Sequence, residues 1–161
     1  MNRIPIYQAE QVSELWGAVK PLLEAHWREI TRYPDIPLDP DVEGYERMER
    51  AGMLRCYTAR ESSELALIGY VTFFVLHSLH YRRSLQAHQD VLFLLPEHRT
   101  GMAGVRLIKF AEERLKAEGV QVVYHHAKRK NKVGELLERL GYEFVDGLYA
   151  KRLDEGDGHG Y

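Results

Sequence analysis

A single cysteine, Cys56, stands among 161 residues, and that scarcity excludes any fold held by internal disulfides. It sits in an apparent strand, Leu54 to Thr58, where a small buried thiol is expected and a nucleophile is not. Long apolar runs are also missing: none reaches the ~20 residues that a membrane helix needs, and the N-terminus lacks a signal-peptide core. A soluble, cytoplasmic protein without membrane contact is therefore expected. Charge of one sign is scarce too. A net charge of -2 gives no general attraction to nucleic acid, which is not expected as a partner. There is no internal repeat. What remains, 45% hydrophobic residues in a chain of this length, predicts a single domain over 1–153 that buries about two-thirds of its unfolded surface. The polar, glycine-rich stretch 154–161 is predicted to be a disordered tail.

Periodicity places the elements. Ile4 to Tyr7 reads as a short edge strand and Glu10 to about Tyr33 as a helix that Pro21 should kink or divide. Three prolines between Pro34 and Pro40 break the pattern before a second helix that ends near Ala51, with Gly52 as its stop. Strands follow at Leu54 to Arg60, Leu65 to Leu79 and Ala87 to Leu95, the second apolar on both faces and so central. A helix from about Thr100 to Glu118 turns Val105, Ile108, Ala111 and Leu115 inward and stops at Gly119. Val120 to His126 reads as a strand, and two short strands near the C-terminus, Glu143 to Val145 and Leu148 to Lys151, are joined through Asp146-Gly147.

The stretch from Asp90 to Gly119 carries the most chemistry. A buried-looking strand runs through Pro96-Glu97-His98 into Arg99-Thr100-Gly101-Met102-Ala103-Gly104-Val105 and on into an amphipathic helix. The first N–H groups of a helix lack intrahelical partners and sit at the positive end of its dipole, so an anionic phosphate chain can rest there on backbone donors. Gly101, Ala103 and Gly104 keep bulk away from that contact. Arg99 adds a fixed positive charge and a forked donor. Downstream, Asn131 to Tyr142 places Val133, Leu136, Leu137 and Leu140 on one helical face and stops at Gly141.

Together these blocks resemble the GNAT superfamily of acetyl-coenzyme A dependent N-acetyltransferases. The shared pattern is strand, Arg-x-x-Gly-x-Gly/Ala, long helix, strand, and a helix ending in Leu-Gly-Phe/Tyr; it covers about Gly69 to Leu153. Counted from Arg99, the sixth position, Gly104, fits, and Met102 stands where the family prefers glycine. The resemblance implies an α/β (α+β) fold: a mixed central sheet of about six to seven strands flanked by helices, with a splayed strand pair forming the acetyl-CoA cleft. It implies that Arg99 and the amides of Thr100, Gly101, Met102, Ala103, Gly104 and Val105 hold the pyrophosphate. Leu94 and Leu95 fall in the bulged strand that seats the pantetheine and polarises the thioester carbonyl, and Asn131 either caps its helix or bonds the pantetheine. The acceptor implied is a primary amine, on a small molecule or a protein lysine, with a wall from the first two helices that includes Trp27, Tyr33 and Tyr45. A homodimer is compatible with the family. The C-terminal block also looks like GNAT domains of bacteriophages and prophages, which leaves room for a host protein or an amine on modified DNA. A protein that binds coenzyme A without catalysis is the rival reading.

For the base, strict alternation would put His88, Asp90, Leu92 and Leu94 on one face, so His88 or Asp90 would point along the strand toward the thioester. A surface histidine and a turn aspartate fit the same positions. Histidine suits proton transfer near neutral pH. The family's tyrosine acid falls at Leu137; Tyr124, Tyr142 and Tyr149 are the alternatives, and Tyr142 is taken as the catalytic one. No metal is expected. His125 and His126 are adjacent in a strand and face opposite ways, and His77 and His80 have no evident third ligand.

Overall fold

A computed structural model describes residues 4–128 and 132–154. These fall into two compact units, Met1–His126 and Ala127–Tyr161. The first contains β1 (Ile6–Glu10), α1 (Val12–Ile30), α2 (Val42–Arg50), β2 (Leu54–Arg60), β3 (Leu67–His77), β4 (Leu85–Leu94), α3 (Ala103–Ala117) and β5 (Val122–Tyr124). The second contains α4 (Val133–Arg139).

Five strands form one sheet in the order β1-β2-β3-β4-β5. All neighbours are antiparallel except β4 and β5, which run parallel. β3 is central, as its apolar faces predict, and helices cover both sides. On one side Leu107, Ala111 and Leu115 of α3 meet Ala59, Val71, Phe73, Ala87 and Leu94. On the other, Val12, Leu15, Val19 and Leu22 of α1 meet Cys56, Tyr70, Val91 and Phe93. Burial raises the Cys56 thiol to about 12, which makes it inert as a nucleophile, as its place in a strand suggests.

Several expectations need correction. The sheet has five strands among the described residues rather than six or seven, because Glu143 to Lys151 forms none. A hairpin with a two-residue type I′ turn needs positive φ at both central residues, and neither Asp146 nor Gly147 has it. The Asp146 carboxylate instead accepts from the Gly147 N–H at 2.7 Å. Pro21, expected to kink α1 or divide it, does not divide it: the helix runs 19 residues through it. Pro21 lies on the solvent side, and so does Gly17, whose carbonyl loses its helical donor there and can turn to water. In α3, Leu107 is buried where Val105 was expected. The predicted tail, apart from Asp154, lies outside the described residues, as do Arg129, Lys130 and Asn131.

Glycine stops behave as read. Gly52, Gly119 and Gly141 each adopt positive φ just past a helix. Asp41 begins α2 by accepting from the Gly44 N–H at 2.9 Å.

Candidate active site

β4 is the element on which the site is built. Its register against β3 slips between Val71 and Phe73, so that Asp90 and Val91 together oppose Thr72. The extra residue breaks the alternation expected from the sequence. Before it, His88 faces the α1–α2 side with Ala87 opposite; after it, Val91 and Phe93 face that side while Leu92 and Leu94 turn toward α3. His88 and Asp90 therefore share a face with each other and not with Leu92 and Leu94.

Thr72 fastens the bulge. Its Oγ1 accepts from the Val91 N–H at 3.1 Å and donates to Asp90 Oδ2 at 3.3 Å. Tyr45 of α2 donates to the same Oδ2 at 2.6 Å. Burial and the Asp90 carboxylate hold the Tyr45 phenol far above its ordinary pKa, so it keeps its proton. Thr72 went unread in the sequence, although a hydroxyl inside Tyr70-Val71-Thr72-Phe73 was the available signal.

Past His88, just before the bulge, the β4–β5 pairing ends. β5 pairs with β4 only from Gln86 to His88, opposite Val122 to Tyr124. The next residue, His125, meets the Phe73 ring edge-on, and its Nδ1–H donates to Gln89 Oε1 at 2.6 Å. Burial, with His126 as a lesser cause, lowers His125 to about 4. The Leu95 N–H donates to Ile68 of β3 at 2.8 Å, and Val91 also turns its amide toward β3. Backbone direction alternates along a strand, so the Leu92 and Leu94 amides point to the other edge, where no described strand pairs with them. The Leu94 amide thus lies on that other edge. The Leu95 amide, expected beside it, is committed to the sheet.

Gly69 allows β3 and β4 to close up at this point. A Cβ there would lie 2.5 Å from Leu94 Cδ1 and 2.8 Å from the Phe93 carbonyl oxygen. β4 then passes through a 3-10 turn, Pro96–His98, to Gly101 at φ +85 and the start of α3. Met102, the N-cap, has an exposed side chain that makes no cap bond, and the first turn of α3 carries no acidic residue. The Tyr7 hydroxyl pins the helix start by donating to the Ala103 carbonyl at 3.2 Å. Nothing in the chain requires glycine at 104: a Cβ there would make only a 3.9 Å contact, and one at Gly101 would meet nothing within 4 Å. Open amides, positive dipole and unfilled space fit a diphosphate, which is the test the coenzyme must pass here.

Arg99, before this turn, makes contacts of its own within the protein. Its Nε donates to the Leu94 carbonyl at 2.7 Å, and its Nη2 donates to both Glu29 oxygens at 2.8 and 3.0 Å. The guanidinium also lies over Phe93, 5.2 Å from the ring centre.

On the α1–α2 face, His88 stacks on Tyr124 of β5 at 4.7 Å and 13°. Burial, helped by His126, lowers the His88 pKa. A cleft of about 390 Å³ opens between the end of α1, the 31–41 connection and α2, with Leu23, Trp27, Tyr33, Leu38 and Tyr45 in its lining and Asp39 and Asp41 among its polar groups. Tyr142, on the second unit, donates its backbone N–H to Leu137 at 3.0 Å, and Leu137 leaves no phenol at that point of α4. Among the described residues, no group of three His, Cys, Asp or Glu gathers as a metal site. Nor is any helix long and apolar enough to cross a membrane.

A family model described as the acetyltransferase (GNAT) family matches residues 19–142. No curated protein matches the chain. Among solved structures, the chain is similar to the ribosomal-protein-alanine N-acetyltransferase of Brucella melitensis biovar Abortus 2308, at 17% identity over 93% of this chain and 99% of that one, TM-score 0.70. It is similar also to aminoglycoside acetyltransferase meta-AAC0020 from an uncultured soil metagenomic sample, solved with sisomicin, at 15% identity over 94% and 97% of the two chains, TM-score 0.72. A third is AAC(6')-Iy in complex with the bisubstrate analogue CoA-S-monomethyl-acetylneamine, at 18% identity over 94% and 99%, TM-score 0.64. At these identities the likeness is one of fold, and the family model spans well over half of the sequence. The chain belongs to the acetyltransferase (GNAT) family.

Proposed function

We propose that the protein moves an acetyl group from acetyl-CoA to a primary amine by direct transfer while both are bound. The carrying observation is one strand: β4 runs from a bulge bearing Asp90, along an open edge of Leu92 and Leu94 amides, into a glycine turn and an uncapped helix.

Acetyl-CoA supplies an activated acetyl thioester. The amides of Ala103, Gly104 and Val105 bind its diphosphate, with Gly101 and Gly104 admitting it close to the main chain. Leu94 and Leu92 offer N–H donors along the open edge, one of them to the carbonyl oxygen that gains charge during transfer.

An alkyl amine has a pKa near 10.4, so about one molecule in a thousand is nucleophilic near neutrality. His88 takes the proton. Its lowered pKa leaves the imidazole neutral and ready to accept at pH 7. Asp90 is the poorer base, since Oδ2 already accepts from Tyr45 and Thr72; it holds the acceptor wall in place through Tyr45. A departing thiolate has a pKa of about 8.5 and leaves without a dedicated acid; Tyr124 protonates it and regains a proton from water, to which His88 releases the one it took.

The acceptor enters the cleft lined by Trp27, Tyr33 and Tyr45, where aromatic and aliphatic walls suit the body of the amine and Asp39 and Asp41 suit its charge. Spermidine, sisomicin and a lysine peptide represent the small-molecule and protein acceptors.

Thiol release from acetyl-CoA with those three amines tests the reading. Turnover with at least one is expected, and loss of about 10²- to 10⁴-fold in His88→Ala. Binding of coenzyme A without thiol release from any amine would favour the non-catalytic rival, and absence of binding would end both.

A further inference from the structure

Arg99 occupies the first position of the phosphate-loop motif, yet its Nε and Nη2 are engaged by the protein. Three contacts converge on it: the Leu94 carbonyl, the Glu29 carboxylate and the face of Phe93. The Glu29 contact is forked, with both oxygens on one guanidinium nitrogen. Phe93 is held from α1 as well, by the His26 ring at 5.1 Å. His26 and Glu29 lie three residues apart and so on one face of α1. Leu23 and Trp27 of the same helix, with Thr31 just past its end, line the cleft. One end of α1 thus grips the last residues of β4 and also walls the cleft.

We propose that Arg99 is a positioning residue that joins this end of α1 to the strand that receives the acetyl group, and that the diphosphate rests on the α3 amides without it. The proposal builds on the acetyltransferase reading above. The peptide between Leu94 and Leu95 supplies the link in chemical terms. Its N–H is bonded to Ile68 of β3 and its carbonyl, pointing the opposite way, is bonded to Arg99. The strap therefore fixes the orientation of β4 beside the Leu94 amide while fixing where the acceptor wall stands. Turning the Nε and Nη2 donors to a phosphate instead would release the Glu29 fork and the Leu94 carbonyl.

Three measurements on wild type, Arg99→Ala, Arg99→Lys and Glu29→Gln decide it. Calorimetric affinity for coenzyme A is expected to stay within about twofold in all four proteins. Hydrogen exchange over residues 23–31, measured without coenzyme, is expected to quicken in Arg99→Ala and Glu29→Gln. In kinetics with whichever of spermidine, sisomicin and the lysine peptide is acetylated, the amine KM should rise about tenfold in both while the acetyl-CoA KM stays put, with Arg99→Lys between them and wild type. A tenfold or greater loss of coenzyme affinity in Arg99→Ala, tighter binding in Glu29→Gln, or unchanged exchange in α1 would each overturn the proposal. Should wild type bind no coenzyme A, the acetyltransferase reading fails, and the exchange arm still decides whether the strap exists.

Discussion

The Tyr45 hydroxyl donates to Asp90 Oδ2 at 2.6 Å, joining α2, in the wall of the cleft, to the bulge of β4. Thr72 supplies a second, longer bond to the same oxygen. The carboxylate that the sequence offered as a base is therefore held by two hydroxyls and works as a tie between wall and strand. Tyr45→Phe removes one donor from a half-buried charge and should destabilise the fold by about 2 kcal/mol, read from urea unfolding. A loss below a few tenths would mean that the bond does not form in solution.

His88 gives a prediction in pH. Burial and His126 hold its pKa below the usual 6.5, so the neutral base persists through neutrality and kcat/KM should fall only in acid, below that value. In His88→Ala the acid limb should vanish with most of the rate. An acid limb that survives the substitution would assign the base elsewhere.

Gly69 lies opposite Leu94, where a Cβ would press on the Phe93 carbonyl as well as on the Leu94 side chain. The backbone must move to admit it. Gly69→Ala should cost about 1–3 kcal/mol and lower turnover, because the strand edge at Leu94 shifts with it. Full stability and full rate together would contradict this packing.

Gly104 behaves oppositely, since the protein leaves room there. Gly104→Val should leave the melting temperature nearly unchanged and weaken coenzyme A binding by about tenfold or more, by filling space that the ligand needs. Unaltered affinity would move the diphosphate away from α3.

His125 links stability to pH. The fold favours its neutral ring, so the unfolded chain takes up the proton first; stability is full above about 6.5 and falls with pH until it levels near 4. The loss attributable to this ring is about 3 kcal/mol across that window. His125→Gln should flatten the corresponding part of the curve of urea midpoint against pH. An unchanged slope would place the ring in solvent.

How much of this was legible in the sequence depended on whether a feature is local. β2 was read to the residue, and Gly52, Gly119 and Gly141 marked three helix ends, because turn geometry and strand pattern are written in neighbouring residues. The route from β4 through Pro96 to α3 was legible for the same reason. The bulge was not: alternation in Leu85–Leu94 does not reveal where an extra residue enters, and Thr72, which fixes it, lies on another strand. The Glu29 partner of Arg99 sits 70 positions away, a pairing that no local motif carries. Gly69 was read only as the point where the family pattern begins, since its close approach to Leu94 belongs to pairing.

A crystal structure with coenzyme A bound tests the central claim most directly. The account predicts the diphosphate on the amides of Ala103 to Val105 and the pantetheine along the Leu92–Leu94 edge of β4. A coenzyme seated on any other surface, or that edge closed by another strand, would contradict it.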